Sequence, residues 1–316
     1  MPIAPEDEGL HPADDDPDWQ ESAYLAWRDA ASSLGGNHRV GTEINRGTAN
    51  AWCGVYHDDG TRFRYNAEDL PMELLAGHGI AAGRQRLFHD GRALRFVLDA
   101  EGCTMDLELR DEAGATALTG AAFRGSKGTA GAIFSNNFHT GCRVVGWVRL
   151  DGREARVDAP GWRDHSWGVR RWDSFLASRS FGGSRGPLVF RYGSMVGSNG
   201  SFFRRGSVER DGAPLDVEAA DMTVALDDDS VTCRAAEVRY RLASGATTCV
   251  RLVVTGGMVG VTRQRFGWES VGDVWVDGEP GGWGFLEVNN NPRNGAQPPA
   301  FVLRDALTNG VTRPTS

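Results

Sequence analysis

The chain has 316 residues, and its formal net charge of −8 comes from 34 Lys and Arg against 42 Asp and Glu. This length suits one large β domain or two domains of about 150 residues, and we predict two. No basic stripe with interleaved aromatic residues occurs, so we expect no nucleic-acid partner. No apolar run approaches the roughly 20 residues of a membrane helix, so we expect no membrane span.

The first eighteen residues are rich in carboxylates, among them Asp14, Asp15 and Asp16. We therefore predict that residues 1–18 form a disordered acidic tail. Met1 is followed by prolines and acids rather than by a basic stretch and an apolar core, so no secretory signal is expected and the predicted location is cytoplasmic. The five cysteines never form a Cys-x-x-Cys pair, which favours reduced thiols.

The segment that follows the tail is ambiguous. Trp19, Ala23, Trp27 and neighbouring apolar residues can be placed on one face of a helix. The Gly35-Gly36 pair that comes next suits a meander of strands better, because a helix here has no core yet to pack against. We favour a strand at residues 21–28, with the helix as the alternative.

Further along the chain, apolar and polar residues alternate with a period of two. This pattern predicts half-buried antiparallel strands, and it occurs at residues 103–110, 222–226 and 238–242. Asp-Gly pairs recur between such segments, as in tight hairpins; they lie at residues 59–60, 90–91, 151–152, 211–212 and 277–278. The predicted fold class is all-β, with two tandem antiparallel barrels and few short helices.

A faint internal repeat supports the division into two halves. Residues 95–109 and 239–254 share a strand, turn and strand pattern of similar composition. We predict an N-terminal barrel at residues 19–155 and a C-terminal barrel at residues 156–316. The second barrel is expected to carry the central motif described next, close to the junction, where binding sites are often found.

Residues 161–172 read Gly-Trp-Arg-Asp-His-Ser-Trp-Gly-Val-Arg-Arg-Trp. This mixture of tryptophans and charges is typical of a small-molecule pocket, because buried charges need partners. In a regular strand Arg163, His165 and Trp167 share one face, and Trp162, Asp164 and Ser166 share the other. We expect the first face to line a cavity, with His165 as proton donor or acceptor. The alternative is a core histidine satisfied by hydrogen bonds.

Other residues of the motif, and polar or aromatic residues elsewhere in the chain, are candidates for structural, substrate-binding or catalytic roles. Asp164 is expected to be structural, paired with a nearby arginine or accepting hydrogen bonds from the backbone. The candidates for substrate contact are Arg163, Trp162, Trp172, His139 beside Asn136 and Asn137, and Asn289; the further catalytic candidates are Tyr192 and Glu287. No His-x-His or His-Glu-x-x-His pattern indicates a metal site, and no Gly-x-Gly-x-x-Gly opens a helix, so neither metal nor cofactor is expected.

Gly182–Gly186 matches the Gly-x-Ser-x-Gly pattern of a hydrolase nucleophile elbow. That motif requires a strand before it and a helix after it. Here Pro187 and the strand-like residues 188–192 follow, so a hairpin turn is the better interpretation.

The central segment, Gly-x-Arg-Asp-His-Ser-Trp-Gly followed by Arg-x-Trp, resembles the signature of carotenoid-hydratase-like proteins. That superfamily has tandem lipocalin-like barrels and includes hydroxyneurosporene synthase and fungal Diels-Alderases. Weaker matches occur at Glu21-Ser22-x-Tyr24, at Gly36-x-x-Arg39-x-Gly41-x-x-x-Asn45 and at Gly282-x-Gly284-x-x-Glu287. The resemblance covers most of the chain and points to an uncharacterised bacterial branch.

The resemblance implies a cofactor-independent, non-redox enzyme that hydrates, dehydrates or cyclises a hydrophobic terpenoid or polyketide-like molecule. His165 and Trp167 match the family's motif residues, Tyr192 its pocket tyrosine, and Gly161 and Gly168 structural positions. Ser194 stands where the hydratases carry an acid, so His165, Glu287 or His139 would have to supply the proton. The alternative is a non-catalytic carrier of a hydrophobic ligand with the same two barrels. The oligomeric state is not predicted.

Overall fold

A computed structural model describes residues 5–75, 79–90, 92–111, 136–262, 265–291 and 308–314. Residues 1–4 of the predicted tail and 292–307 of the predicted second barrel lie outside this description. Within it, antiparallel strands dominate, and the helices are short 3-10 turns at Pro5–Glu8, Ile44–Arg46 and Trp172–Ser174. The predicted all-β, double lipocalin-like fold is confirmed. No helix in the described part of the chain is both long and apolar enough to cross a membrane.

The first sheet is formed by the first eleven strands and the last one. They are β1 (Trp19–Asp29), β2 (Leu34–Glu43), β3 (Thr48–His57), β4 (Arg62–Pro71), β5 (Glu73–Leu74), β6 (Gly79–Ala82), β7 (Gln85–His89), β8 (Leu94–Ala100), β9 (Cys103–Asp111), β10 (Asn136–Leu150), β11 (Arg153–Val169) and β21 (Gly310–Thr312). Their order is β21-β4-β3-β2-β1-β11-β10-β9-β8-β7-β6-β5. The sheet curls until β6 lies against β2 and β3, which encloses one apolar core.

The second sheet takes the strands in between. They are β12 (Phe175–Arg185), β13 (Leu188–Gly197), β14 (Phe202–Arg210), β15 (Ala213–Leu215), β16 (Val217–Leu226), β17 (Cys233–Leu242), β18 (Thr247–Thr262), β19 (Arg265–Val276) and β20 (Glu279–Asn290). Their order is β15-β14-β13-β12-β20-β19-β18-β17-β16, and β14 approaches β16 as this sheet curls in turn. It encloses a second apolar core.

The junction between the sheets differs from the predicted boundary at 155/156. Strand β11 pairs along its length with both β1 and β10, so the central motif belongs to the first sheet rather than to the second barrel. Val157 and Ala159 of β11 accordingly bury their side chains in the first core. The chain also returns at its end, where β21 pairs with β4.

Strand β1 confirms the prediction of a strand at residues 21–28 and explains why the segment was ambiguous. All eleven of its residues are buried. Leu25 and Trp27 lie in the first core, whereas Tyr24 and Ala26 pack against the second sheet. A strand that is covered on both faces has no polar side to alternate with its apolar one, so its sequence lacks the period of two.

The two sheets meet through the outer faces of β1 to β4 and of β18 to β20. An aromatic cluster fills this contact, with Tyr56 and Trp162 on one side and Phe285 on the other. The strands come very close at Gly256, where an added Cβ atom would lie 2.3 Å from the Cβ atom of Tyr56. Glycine is therefore required at this position by the packing of the two sheets.

We expect Gly256→Ala to destabilise the protein by about 1–3 kcal/mol, because the added methyl group overpacks the contact between the sheets. Gly141→Ala is a matched control, since an added Cβ atom there meets no atom within 4 Å. Urea unfolding of both variants measures the difference. Equal stability of the two variants would show that the sheets do not pack as described.

Candidate functional site

The main cavity of the described residues lies between the two sheets and has a volume of about 220 Å³. The first sheet contributes the outward-facing side chains of β1, β2, β10 and β11, and the second contributes β12, β13, β14 and β20. Trp162, Phe181 and Phe285 form apolar walls beside several charged groups. Apolar walls with a few convergent polar groups are the usual composition of a small-molecule site.

The wall of the first sheet is built from one row of directly paired residues. Arg39 on β2 pairs with Tyr24 on β1, Tyr24 pairs with Asp164 on β11, and Asp164 pairs with His139 on β10. Directly opposed residues on neighbouring strands point to the same face. All four side chains therefore line the cavity, although up to 140 residues of sequence separate them.

Asp164 and His139 are neighbours in this row, and both side chains can accept or donate a proton. His139 Nδ1 lies 3.4 Å from Asp164 Oδ2, and Asn137 Nδ2 lies 2.8 Å from His139 Nε2. Burial raises the pKa of Asp164, against the charges of Arg170, His165 and Arg39 and a hydrogen bond from Ser166. Burial, together with the charge of Arg191, lowers the pKa of His139 to about 3. The histidine is therefore neutral at physiological pH, and the carboxyl group is poised to hold a proton.

Tyr24 completes the row as a neutral hydroxyl group. Its oxygen accepts a hydrogen bond from Asn37 Nδ2 at 2.7 Å. Burial raises the pKa of Tyr24 well above its ordinary value, and the carboxylates of Glu269 and Glu287 act in the same direction. The phenol therefore keeps its proton and can donate a hydrogen bond.

On the second sheet, Arg191 lies over Trp162, with Cζ 3.8 Å from the ring centroid. Burial lowers the pKa of Arg191 to about 9, and the carboxylates of Glu209 and Asp164 offset this only in part. A guanidinium stacked on an indole ring is held in a fixed plane, with its N–H groups available at the edge.

The remaining cavity candidates from the sequence also come together here. Tyr192, Glu287 and Asn289 line the cavity from the second sheet. Trp172 lines it at the junction and donates from Nε1 to Gln20 at 3.0 Å. Ser194, which replaces the acid expected from the family pattern, lines the same space. Asp164 is the carboxyl group that the sequence argument did not place there.

The structure separates His165, Trp167 and Arg163 from this cavity and from Tyr192 and Glu287. They lie on the opposite face of β11, where Arg163 and His165 line a second pocket of only about 30 Å³ against apolar side chains of the first core. The expected cavity lining is therefore met by this small pocket and not by the main cavity. His165 Nε2 lies 2.8 Å from Glu21 Oε1, and its Nδ1 lies 2.8 Å from the carbonyl oxygen of Asp7. Both ring nitrogens are therefore engaged by oxygen atoms of the protein.

The other residues of this inner face are equally engaged. Arg163 binds two carboxylates, those of Glu8 and Asp111. Trp167 stacks on His11, with ring centroids 3.8 Å apart. The strand alternation was predicted correctly, but the face that meets the main cavity is the one that carries Asp164. The arginine partner expected for Asp164 is replaced by His139 and Ser166 at close range.

The residues between Pro5 and Asp18, predicted to be a disordered tail, lie against the first sheet instead. Asp16 and Asp18 bind Arg171, Glu8 binds Arg163, and His11 binds Glu21. The acids of the segment thus meet the positive charges of the central motif. This complementarity gives the segment a defined position that composition alone did not indicate.

Gly161 and Gly168 of the motif occupy positions where the structure disfavours any other residue. An added Cβ atom at Gly161 would lie 2.5 Å from Val144 Cγ2, so the position has no room for a side chain. Gly168 has a φ of +117°, which only glycine adopts without strain.

Sequence reasoning missed the cavity residues Tyr24, Arg39 and Arg170, and it gave Arg191 no role. Tyr24 and Arg39 belong to patterns quoted for the family resemblance, so a signal was present. What the sequence lacked was the strand register, which brings these residues opposite Asp164.

Among the described residues, His11, Glu21 and His165 are the group whose ligand atoms lie within 4.8 Å of one another. Two histidines and a carboxylate are a donor set that zinc accepts. Here, however, Glu21 Oε1 lies 2.8 Å from both His11 Nδ1 and His165 Nε2, which are direct hydrogen-bond distances. The carboxylate of Glu21 is therefore already hydrogen-bonded to both histidines.

The Glu21 cluster generates a prediction about stability. Burial disfavours the charge of Glu21, but hydrogen bonds and charge from His165, with hydrogen bonds from His11, outweigh it and lower its pKa below the ordinary value of 4.5. Its contribution is therefore full above pH 4.5 and is lost as pH falls through the lowered value. We expect Glu21→Gln to cost about 3 kcal/mol at pH 7 and less at low pH.

Chemical denaturation of wild type and Glu21→Gln at several pH values measures this difference. Arg241→Gln, which loses an exposed ion pair with Glu218, controls for a change of charge and should cost less than about 1 kcal/mol. A Glu21→Gln deficit that does not shrink below pH 4.5 would contradict the ion-pair assignment.

Solved structures share this fold at low sequence identity. CghA with Sch210972 is 14% identical, with 87% of this chain and 89% of that chain covered and a TM-score of 0.58. The AttH-like protein NE1406 of Nitrosomonas europaea is 12% identical, with 90% and 95% covered and a TM-score of 0.63. Kievitone hydratase from Nectria haematococca is 10% identical, with 85% and 88% covered and a TM-score of 0.60.

These likenesses show the fold, and this fold agrees with the double lipocalin-like one that the central motif's resemblance implied. Among curated proteins, none matches the sequence of this chain. A family model described as a domain of unknown function, DUF7064, matches residues 4–292. The chain therefore belongs to the DUF7064 family.

Proposed function

We propose that this protein is a cofactor-independent, non-redox enzyme that adds water to, removes water from, or cyclises an unsaturated hydrophobic small molecule. The observation that carries the proposal is the position of Asp164, a half-buried carboxyl group on the wall of the cavity between the sheets, 3.4 Å from His139 and with a raised pKa. A raised pKa makes a carboxyl group better suited to general acid catalysis than one with an ordinary pKa.

In the hydration direction, the Asp164 carboxyl group gives its proton to one alkene carbon. The oxygen of a water molecule bonds to the other carbon, and the proton that this water loses returns to the Asp164 carboxylate. Neutral His139, 3.4 Å from Asp164, can relay that proton. Dehydration is the same sequence in reverse, and no electron acceptor is required.

The catalytic role is assigned to Asp164 rather than to His165, because His165 faces Glu21 and the Asp7 carbonyl in the first barrel. The cavity wall supplies further groups for the same reaction. Tyr24 is a neutral donor, and Tyr192 and Glu287 lie across the cavity from the first sheet. These three residues are assigned to orienting the substrate and the water molecule.

A terpenoid or polyketide-like substrate is supported by the aromatic walls of the cavity. The volume of about 220 Å³ is below the range of roughly 300–1,000 Å³ usual for drug-sized ligands, which favours a compact molecule over a long carotenoid. The fold is shared with a protein named kievitone hydratase and with CghA, which was crystallised with Sch210972. The fold is therefore compatible with both a hydratase activity and a bound small molecule.

Native mass spectrometry of the purified protein, before and after organic extraction, would identify a retained ligand. Candidate alkenes chosen from its structure are then incubated in heavy-oxygen water, and the products are analysed for the label. Incorporation of heavy oxygen supports hydration, and an unlabelled isomer supports cyclisation. A retained ligand that always leaves unchanged supports the carrier alternative and contradicts the enzyme.

Substitution of Asp164 tests the catalytic assignment. Asp164→Asn keeps the shape of the side chain but cannot donate an acidic proton, so we expect turnover to fall by about a hundredfold or more while the fold is retained. His165→Ala should instead lower the melting temperature and leave turnover of the folded protein nearly unchanged. The opposite pattern would return the catalytic role to His165.

The pH dependence of hydration follows from the same group. The protonated form of Asp164 is the active one, and its pKa is raised above the ordinary 3.8. We expect kcat to be highest below that raised value and to decline as pH increases through it. A kcat that stays constant, or rises, from pH 4 to pH 8 would exclude Asp164 as the rate-determining acid.

A further inference from the structure

Arg191 presents a half-buried positive charge to the cavity between the sheets. Its guanidinium lies over Trp162, with Cζ 3.8 Å from the ring centroid, and its side chain lines the cavity. Among the described residues, Arg191 makes no ion pair within 4.0 Å and no hydrogen bond from the guanidinium. Trp162 leaves its own Nε1 without a partner in the same part of the structure.

Arg163, on the opposite face of the motif strand, shows how this chain satisfies a buried arginine. Its side chain is only 7% exposed, and it binds the carboxylates of Glu8 and Asp111. Burial lowers its pKa, but those two partners outweigh the effect and raise it above the ordinary value. For Arg191 burial prevails, since Glu209 and Asp164 act on it only at a distance. One of these two arginines thus has its anions within the chain, and the other does not.

The charge of the whole cavity has the same sign as Arg191. Among the described lining residues there are five arginines but only two carboxyl groups, Asp164 and Glu287. Burial favours the neutral, protonated form of Asp164, and His139 is neutral, so neither residue reduces the excess of positive charge. A water-poor cavity with excess positive charge attracts an anion strongly.

We propose that Arg191, positioned over the ring of Trp162, is the binding site for an acidic group of the ligand, a carboxylate or an ionised enol or phenol. The planar guanidinium offers two parallel N–H donors to such an oxygen pair. Phe285 packs on Trp162, with ring centroids 5.9 Å apart, so an apolar surface continues from the stacked pair. An amphipathic acid would place its charge on Arg191 and its apolar part along these rings.

This inference rests on the proposed function only in taking the cavity as the ligand site. It adds a specificity: the substrate is an acid, and a neutral hydrocarbon of the same shape binds less well. The acidic group would anchor one end of the molecule, while Asp164 lies on the facing wall. Binding and proton transfer are then separate roles for separate residues, and they can be measured separately.

The test compares 2-naphthoate with 2-naphthamide, two probes of similar shape that differ in charge. Isothermal titration at pH 7 should give wild type a preference of about tenfold or more for the naphthoate. Arg191→Gln should bind both probes within about twofold of each other, and Arg191→Lys should keep part of the preference. Arg241→Gln is the matched control, because Arg241 is exposed and pairs with Glu218 outside the cavity.

Equal binding of the two probes by wild type would overturn the proposal, as would a full preference retained by Arg191→Gln. Retained naphthamide binding by Arg191→Gln confirms that its cavity is intact. The proposed function fails separately. If the protein prefers the anionic probe but turns over no alkene, the acid-binding site is supported and the proposed enzymatic function is contradicted. If it turns over neutral alkenes but shows no preference for the anionic probe, the enzymatic function is supported and the acid-binding site is contradicted.

Discussion

From Gly161 onward, strand β11 is covered on both faces, and both faces carry charged residues. Burying a charge without a partner costs several kcal/mol, so each face must meet complementary groups. The inner face of Arg163 and His165 is covered by the N-terminal segment, and the outer face of Trp162 and Asp164 is covered by the second sheet. The positions of the N-terminal segment and of the second sheet both follow from the need to cover this one strand.

The charged groups of the inner face pair with one another. Glu21 joins His165 to His11, Arg163 binds two carboxylates, and the acids near Asp16 bind Arg171. Part of the negative charge at the start of the chain is thus neutralised within the protein. A network of paired charged groups stabilises one arrangement of its members. This is why a histidine in the most conspicuous part of the sequence is a poor candidate for catalysis.

The fold class followed from the sequence because a period of two and Asp-Gly turns are local signals, and both survived in the structure as hairpins such as the one at Asp151-Gly152. The junction did not follow, because β11 joins the first sheet through long-range pairing with β1. The same limit applies to the site. The alternation of side chains along a strand places Asp164 and His165 on opposite faces of β11. Only the packing of the second sheet shows which of these faces borders the cavity. The order of the N-terminal segment likewise depends on Arg163 and Arg171, about 155 residues away.

The outer face differs because its polar groups are only partly satisfied by one another. Asp164 is drawn toward its neutral form, His139 is held neutral, and Arg191 keeps its charge without a close anion among the described residues. Each of these conditions lowers the stability of the empty protein, and a structural core would not retain them without a reason. The same low-dielectric surroundings that penalise an unpaired charge strengthen its interaction with a ligand. A donor that is costly when the cavity is empty therefore becomes selective when the cavity is filled, which is the physical argument for placing function on this face.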